Sequence, residues 1–351
     1  MSFERRRVWW SGTATLLALT LFAAGVLVPM PYVEISPGPV FDVLGSTQGK
    51  PLLQISGATT YPTTGTLDIT TVNERGGPDT GIYLGRVIVG WIRRDVRILP
   101  RDALYPEGAT GAQVSAEGVR QFSDSKADSV AAALSYLKIP YRTLVIVSSV
   151  TDGAPADGNL EPGDELTSIN GQKIVVIDDV GAAMSKVAPG SVATIGVIRG
   201  QGAKTVEVKT EQSPIEPGRA FLGIEVGETY RANFPIAVNL DDVGGPSAGL
   251  MLSLGIIDKL TPGSLNGGRH VAGTGTIDPT GIVGPIGGIA QKMAGASGEG
   301  ATFFLAPADN CADVVEAGVP DGMTVAKVST LAEAVSAVEA YVAGHAVVGC
   351  S

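Results

Sequence analysis

From Val8 to Val28 the chain carries no charged residue, a stretch about as long as the ~20 residues an α-helix needs to cross a bilayer. No other feature limits the architecture as strongly, because a membrane-spanning helix divides a chain into two compartments. Arg5, Arg6 and Arg7 precede the stretch and Glu34 and Asp42 come after it, so the positive-inside rule puts the N-terminus in the cytoplasm and the rest outside. Trp9 and Trp10 then belong at the cytoplasmic interface. The alternative is a cleaved signal peptide, for which Ala23 and Ala24 offer a weak small-residue site. The expectation is a cytoplasmic tail at 1–7, a single-pass transmembrane helix at 8–30 in the cell membrane, and an extracytoplasmic remainder.

That remainder is long enough for two modest domains, and only 17% of all residues are charged, which is too few for a disordered protein. A net charge of -10 excludes the basic surface that nucleic acid requires. His270 and His345 are the only histidines and no HExxH is present, so a zinc peptidase has no support. Gly45–Pro51 (GSTQGKP) fails the spacing of a nucleotide-binding loop. Neither cofactor, metal nor nucleotide is expected. Cys311 and Cys350, the only cysteines, fall where disulfides persist, and a bridge between them is expected over two free thiols.

The elements read as α+β. Pro31–Pro39 is an extended, proline-stiffened exit, Gly65–Val72 alternates as a strand, and Ile82–Ile92 reads as an apolar strand or a short surface-hugging segment. Ser123–Leu137 has helical spacing. From Pro140 the pattern shifts to short β-branched runs: Leu144–Val150, then Leu160–Gly171 ending in the hairpin signal Asn170-Gly171, a helix over Asp178–Val187, and strands at Val192–Arg199 and Thr205–Thr210. Ala154-Pro155-Ala156, Leu160-Glu161-Pro162-Gly163-Asp164-Glu165-Leu166 and Ile169-Asn170-Gly171 together resemble a bacterial PDZ domain. The resemblance implies a peptide added beside a sheet edge and packed against Asp178–Val187. Lys138-Ile139-Pro140-Tyr141 stands where a glycine-containing carboxylate loop is expected and has no glycine.

Phe234–Leu240 reads as a strand, followed by Asp241–Gly249 (DDVGGPSAG) and an apolar helix over Leu250–Leu260. Ser247 therefore lies at a helix start, where free backbone N–H groups can stabilise an oxyanion. Downstream, Gly281–Lys292 (GIVGPIGGIAQK) opens a helix that puts Lys292 in its first turns, where the dipole and burial lower an amine's pKa. A strand at Ala301–Pro307 comes next. GGPSAG, VGPIGGIAQK and FFLAPADN in this order are similar to the proteolytic domain of Lon proteases. The resemblance implies a ribosomal protein S5 domain 2-like fold with Ser247 as nucleophile, Lys292 as general base and Thr274, Gly245, Pro246 and Gly249 in support. Gly244 and Thr276 stand where energy-dependent relatives carry acids.

Gly65–Val72 and Ser123–Leu137 resemble the opening strand and helix of the same domain. The PDZ-like module (138–212) is thus inserted between a first part at 31–137 and a second at 213–351, as in membrane-anchored, PDZ-containing Lon-like proteases of bacteria. The resemblance implies an ATP-independent serine endopeptidase of polypeptides outside the cytoplasm, without nucleic-acid or nucleotide partners, and a homo-oligomer, a hexameric ring. The alternatives are a catalytically inactive PDZ-based membrane scaffold and a histidine-based serine hydrolase using His270.

Overall fold

A computed structural model describes residues 13–20, 22–23, 25, 28–200, 202–240 and 243–350. In chain order the main elements are β1 (Tyr32–Asp42), β2 (Thr66–Arg75), α1 (Leu84–Ile92), β3 (Arg97–Pro100), α2 (Gly111–Tyr136), β4 (Tyr141–Val150), β5 (Glu165–Ile169), α3 (Ile177–Met184), β6 (Val192–Arg199), β7 (Gly202–Lys209), β8 (Ile224–Ala232), α4 (Gly249–Leu260), β9 (His270–Gly273), α5 (Ile289–Gly298), β10 (Phe303–Pro307), α6 (Cys311–Ala317), β11 (Thr324–Val328) and α7 (Leu331–Val342).

The transmembrane helix requires correction. The tail at 1–7, Trp9 and Trp10 lie outside the described residues, as do parts of the uncharged stretch. Residues 13–20, 22, 23 and 25 are helical, but no helix among the described residues is long and apolar enough to cross a membrane. The described run interleaves Thr13, Thr15 and Thr20 with the apolar positions, which lowers its mean hydropathy. By Pro29–Met30 the chain is already a strand paired with Ile82–Tyr83.

Two sheets carry the structure. The first runs β11-β10-β9-β2-β1-β3. Its β2, β9, β10 and β11 are mutually parallel, and β1 and β3 are added antiparallel. All of β10 is buried, as expected of a parallel strand covered on both faces. The period-2 alternation sorts its side chains: Phe303 and Leu305 face one core with α2, α4 and α7, while Phe304 and Ala306 face another with α5 and α6. Helix α4 is buried from Gly249 to Asp258, with Ser253 and Asp258 the only polar side chains in that run, which makes it the central core helix rather than a surface one. Strand β2 comes from before the inserted module and β9 from after it, yet they pair directly, Thr66 opposite His270.

The second sheet runs β7-β6-β5-β4-β8 and has its own core of Val145, Val147, Leu166, Ile169, Ile195 and Val197 under α3. Asn170 (φ 48°) and Gly171 (φ 78°) make the tight turn expected from their sequence. Strand β8, assigned from sequence to the following domain, pairs with β4 from Ile224–Val150 through Ala232–Tyr141. The module therefore extends to residue 232 and begins and ends on neighbouring strands.

Candidate active site and peptide groove

The loop before α4 is pinned on two sides. Gly245 sits at φ 87°, a left-handed conformation that glycine adopts without strain, and its N–H donates to Gly118 O of α2 at 2.9 Å. Ser125, also on α2, donates its hydroxyl to Pro246 O at 2.9 Å. On the far side Ser247 O accepts from Gly275 N–H at 3.0 Å and from Thr274 Oγ1 at 3.1 Å. Gly249 opens α4 against Ile277, whose Cγ2 is 2.8 Å from where a Cβ would stand. The backbone N–H groups of Ser247 and Ala248 donate to nothing among the described residues, which leaves two donors free at a helix start.

Helix α5 begins after Gly288, itself left-handed at φ 72°. Its second turn carries Lys292 into the interior, where only 3% of the residue is exposed. Lys292 Nζ donates to Ser247 Oγ at 2.7 Å and to Thr274 Oγ1 at 3.1 Å. Burial is the cause that holds its pKa down to about 7. Among the described residues no carboxylate compensates the desolvation. Gly244 packs on Gly118, whose backbone would lie 3.4 Å from a Cβ at that position. A neutral amine at hydrogen-bond distance from a hydroxyl is the arrangement that can take its proton.

Ser247 and Lys292 open on a cleft of about 170 Å³ lined also by Ile69–Asn73 of β2, Gly244 and Gly245. The FFLAPADN motif acquires a physical reason: Asn310 accepts from Ile286 N–H and donates to Ile286 O, both at 2.9 Å, fixing the turn that leads into α5. His270 is not brought to Ser247. Its Nε2 bonds the Asp68 carboxylate, and it is absent from the cleft lining.

Cys311 and Cys350 form a disulfide with Cα atoms 5.0 Å apart, closing a separation of 39 residues and fastening the C-terminal segment beside β11. In the chain-entropy account such a loop contributes about 4 kcal/mol. Alkylation of non-reduced protein followed by mass spectrometry should find no free thiol, and reduction should lower the melting temperature; two alkylated cysteines would contradict the bridge.

The module offers a second candidate feature, one that the sequence did not reveal. Strand β8 is paired only on its β4 side, its other edge is open, and α3 lies alongside. It is entered through Leu222-Gly223-Ile224, with Gly223 at φ 75° and no room for a side chain, since a Cβ would fall 2.1 Å from that of Ala154. Lys138–Tyr141, the expected place of a carboxylate loop, is the connection from α2 into β4. The available signal was a glycine between apolar residues just ahead of a strand. It lay after the module's other strands rather than before them.

A serine, a buried lysine and an open-edged sheet module define a class, and known proteins agree with it. Residues 239–340 match the Lon protease (S16) C-terminal proteolytic domain and residues 118–210 match the PDZ domain. The chain thus joins a PDZ domain to a proteolytic domain of the Lon type. The PDZ match stops before β8, the strand that completes that sheet. The chain is 32% identical over 146 residues to Lon protease 1 of Bacillus subtilis (strain 168), covering 41% of this chain and 17% of that protein. It is 37% identical over 121 residues to Lon protease 1 of Sorangium cellulosum, covering 33% and 15%. It therefore spans under a fifth of the length of these curated relatives. Among solved structures, the PDZ domain of the SdrC-like protein from Listeria innocua is 26% identical, covering 24% of this chain and 92% of that chain, with a TM-score of 0.22.

Proposed function

We propose that the chain is a serine endopeptidase that hydrolyses polypeptides without a nucleotide step, with Ser247 as nucleophile, Lys292 as general base and the PDZ domain selecting substrates. The observation that carries this is the 2.7 Å contact between Lys292 Nζ and Ser247 Oγ in a site dry enough to hold the amine near neutrality. The neutral amine takes the Ser247 proton as Oγ attacks the peptide carbonyl, and the free N–H groups at the α4 start receive the oxyanion. The resulting ammonium returns the proton to the leaving amine. Water, deprotonated in turn by Lys292, then hydrolyses the acyl-enzyme and restores Ser247. Thr274 holds the amine in line. The Cys311–Cys350 disulfide favours action outside the cytoplasm, where thiols remain oxidised. Likeness to Lon enzymes supports a homo-oligomeric ring, hexameric by that analogy.

The test is covalent. A phosphonylating serine reagent should label Ser247 in the wild type and fail on Ser247→Ala and on Lys292→Ala. Both variants should stop cutting an unfolded protein while keeping wild-type circular dichroism. Cleavage that persists in folded Ser247→Ala would overturn the assignment.

A further inference from the structure

Helix α1 is too apolar on its outer side for a surface meeting only water. Its sequence, LGRVIVGWI, contains no acidic residue. Val87 and Gly90 face inward, and Gly90 leaves no room for a side chain because a Cβ would meet Ile98 Cδ1 at 2.5 Å. Ile88, Val89, Trp91 and Ile92 face outward with 44%, 55%, 65% and 77% of their surface exposed, beside Tyr83. Isolated exposed apolar residues are ordinary, but four large ones on one short helix with a fifth beside it mark a contact surface.

Three observations say what covers it. Arg93, Arg94 and Arg97 come directly at the helix end, and Arg94 and Arg97 are exposed with no ion pair among the described residues, in a chain whose net charge is -10. A second copy of the chain would bring these cations together, whereas anionic headgroups complement them. Trp91 and Tyr83 are the side chains that favour the boundary between water and acyl chains. The N-terminal apolar stretch also arrives at this place: Pro29–Met30 pair with Ile82–Tyr83, Gly25 lies against Leu84, and upstream Leu16, Leu17, Leu19 and Phe22 are exposed.

We infer that α1 is a lipid-facing surface helix lying in the plane of an anionic membrane, its Ile88, Val89, Trp91 and Ile92 at the acyl boundary and its arginines at the phosphate level. The helix lies along the membrane rather than across it. This inference is independent of the peptidase assignment.

Trp91 reports directly on the contact. In the full chain carrying Trp9→Phe and Trp10→Phe it is the only tryptophan of the original three. With vesicles of phosphatidylcholine and phosphatidylglycerol its emission should shift blue by about 10 nm, and acyl-brominated lipid should quench it about twofold or more. Pure phosphatidylcholine should give a weaker effect. Ile92→Asp in the same background should lose most of the quenching while keeping its circular dichroism and peptidase activity. Trp91 equally open to aqueous iodide with and without vesicles would overturn the inference. So would full bromine quenching in Ile92→Asp, or a lipid-free blue shift that grows with protein concentration, which would assign the face to a second copy.

Discussion

Lys292→Arg should reduce kcat/KM for peptide hydrolysis by more than about 10³-fold while leaving the fold intact, because a guanidinium keeps the charge yet cannot accept a proton at any accessible pH. The double variant with Ser247→Ala should be scarcely worse than either single one, since the two side chains act as a unit. The pH profile follows from the lysine. Only the neutral amine is a base, so the rate should climb with pH through about 7 and level off above it. Stability has a matching sign. The folded-state pKa lies below the unfolded value of ~10.4, so between about 7 and that value the unfolded chain binds the extra proton. The cost of burying the amine is fully present below pH 7 and fades as pH rises toward the unfolded pKa. Lys292→Met should therefore be inactive yet more heat-stable at neutral pH. Robust hydrolysis by purified, folded Lys292→Arg would show that another group is the base.

Removing residues 141–232 and joining Pro140 to Asn233 through two glycines should leave a folded peptidase domain. Tyr141 and Ala232 are partners on adjacent antiparallel strands, about 5 Å apart, so the removed stretch starts and ends side by side and a short linker can join the residues that flank it. The module's core shares no residue with the core around α4. The variant should cleave a short unstructured peptide within about threefold of the wild-type rate, while its selectivity among protein substrates falls. Removing 138–212 should be far more damaging. It strands β8 without β4, exposing Leu222, Ile224 and Val226 and leaving an unpaired edge that invites aggregation. Thermal melts with peptide and protein assays on both variants decide the matter; equal stability of the two would refute the boundary at 232.

The parts of this protein that sequence exposes are those where local chemistry and position coincide. Ser247 and Thr274 sit in glycine-rich turns and Lys292 in the helix that follows another, in an order that matches a known proteolytic domain, and the structure brings them within hydrogen-bond reach. Local patterns misled where tertiary packing decides. The valines and isoleucines of Ile82–Ile92 favour a strand by propensity, yet Val87 and Gly90, three apart, pack inward on α1. Helix α2 starts at the Thr110–Gln113 capping box, well before the Ser123 start suggested by hydrophobic spacing. Lack of charge from Val8 to Val28 is a property of composition and did not guarantee a spanning helix. The glycine turn into β8 at Gly223 was invisible for a topological reason: β8 comes after the other module strands in sequence but lies beside the first of them in space.

Asp68 of β2 and His270 of β9 are 202 residues apart in sequence yet bonded in the finished sheet. During synthesis β2 emerges early and has no parallel partner until β9, about 200 residues later, has been made. The PDZ module, antiparallel and with a core of its own, can fold in that interval. Because it starts and ends on neighbouring strands, its collapse draws the two flanking segments together and shortens the loop that the later sheet must close. An insertion placed this way can act as a folding clasp, and the expected result is that a mutation delaying the module slows maturation of the Ser247–Lys292 site.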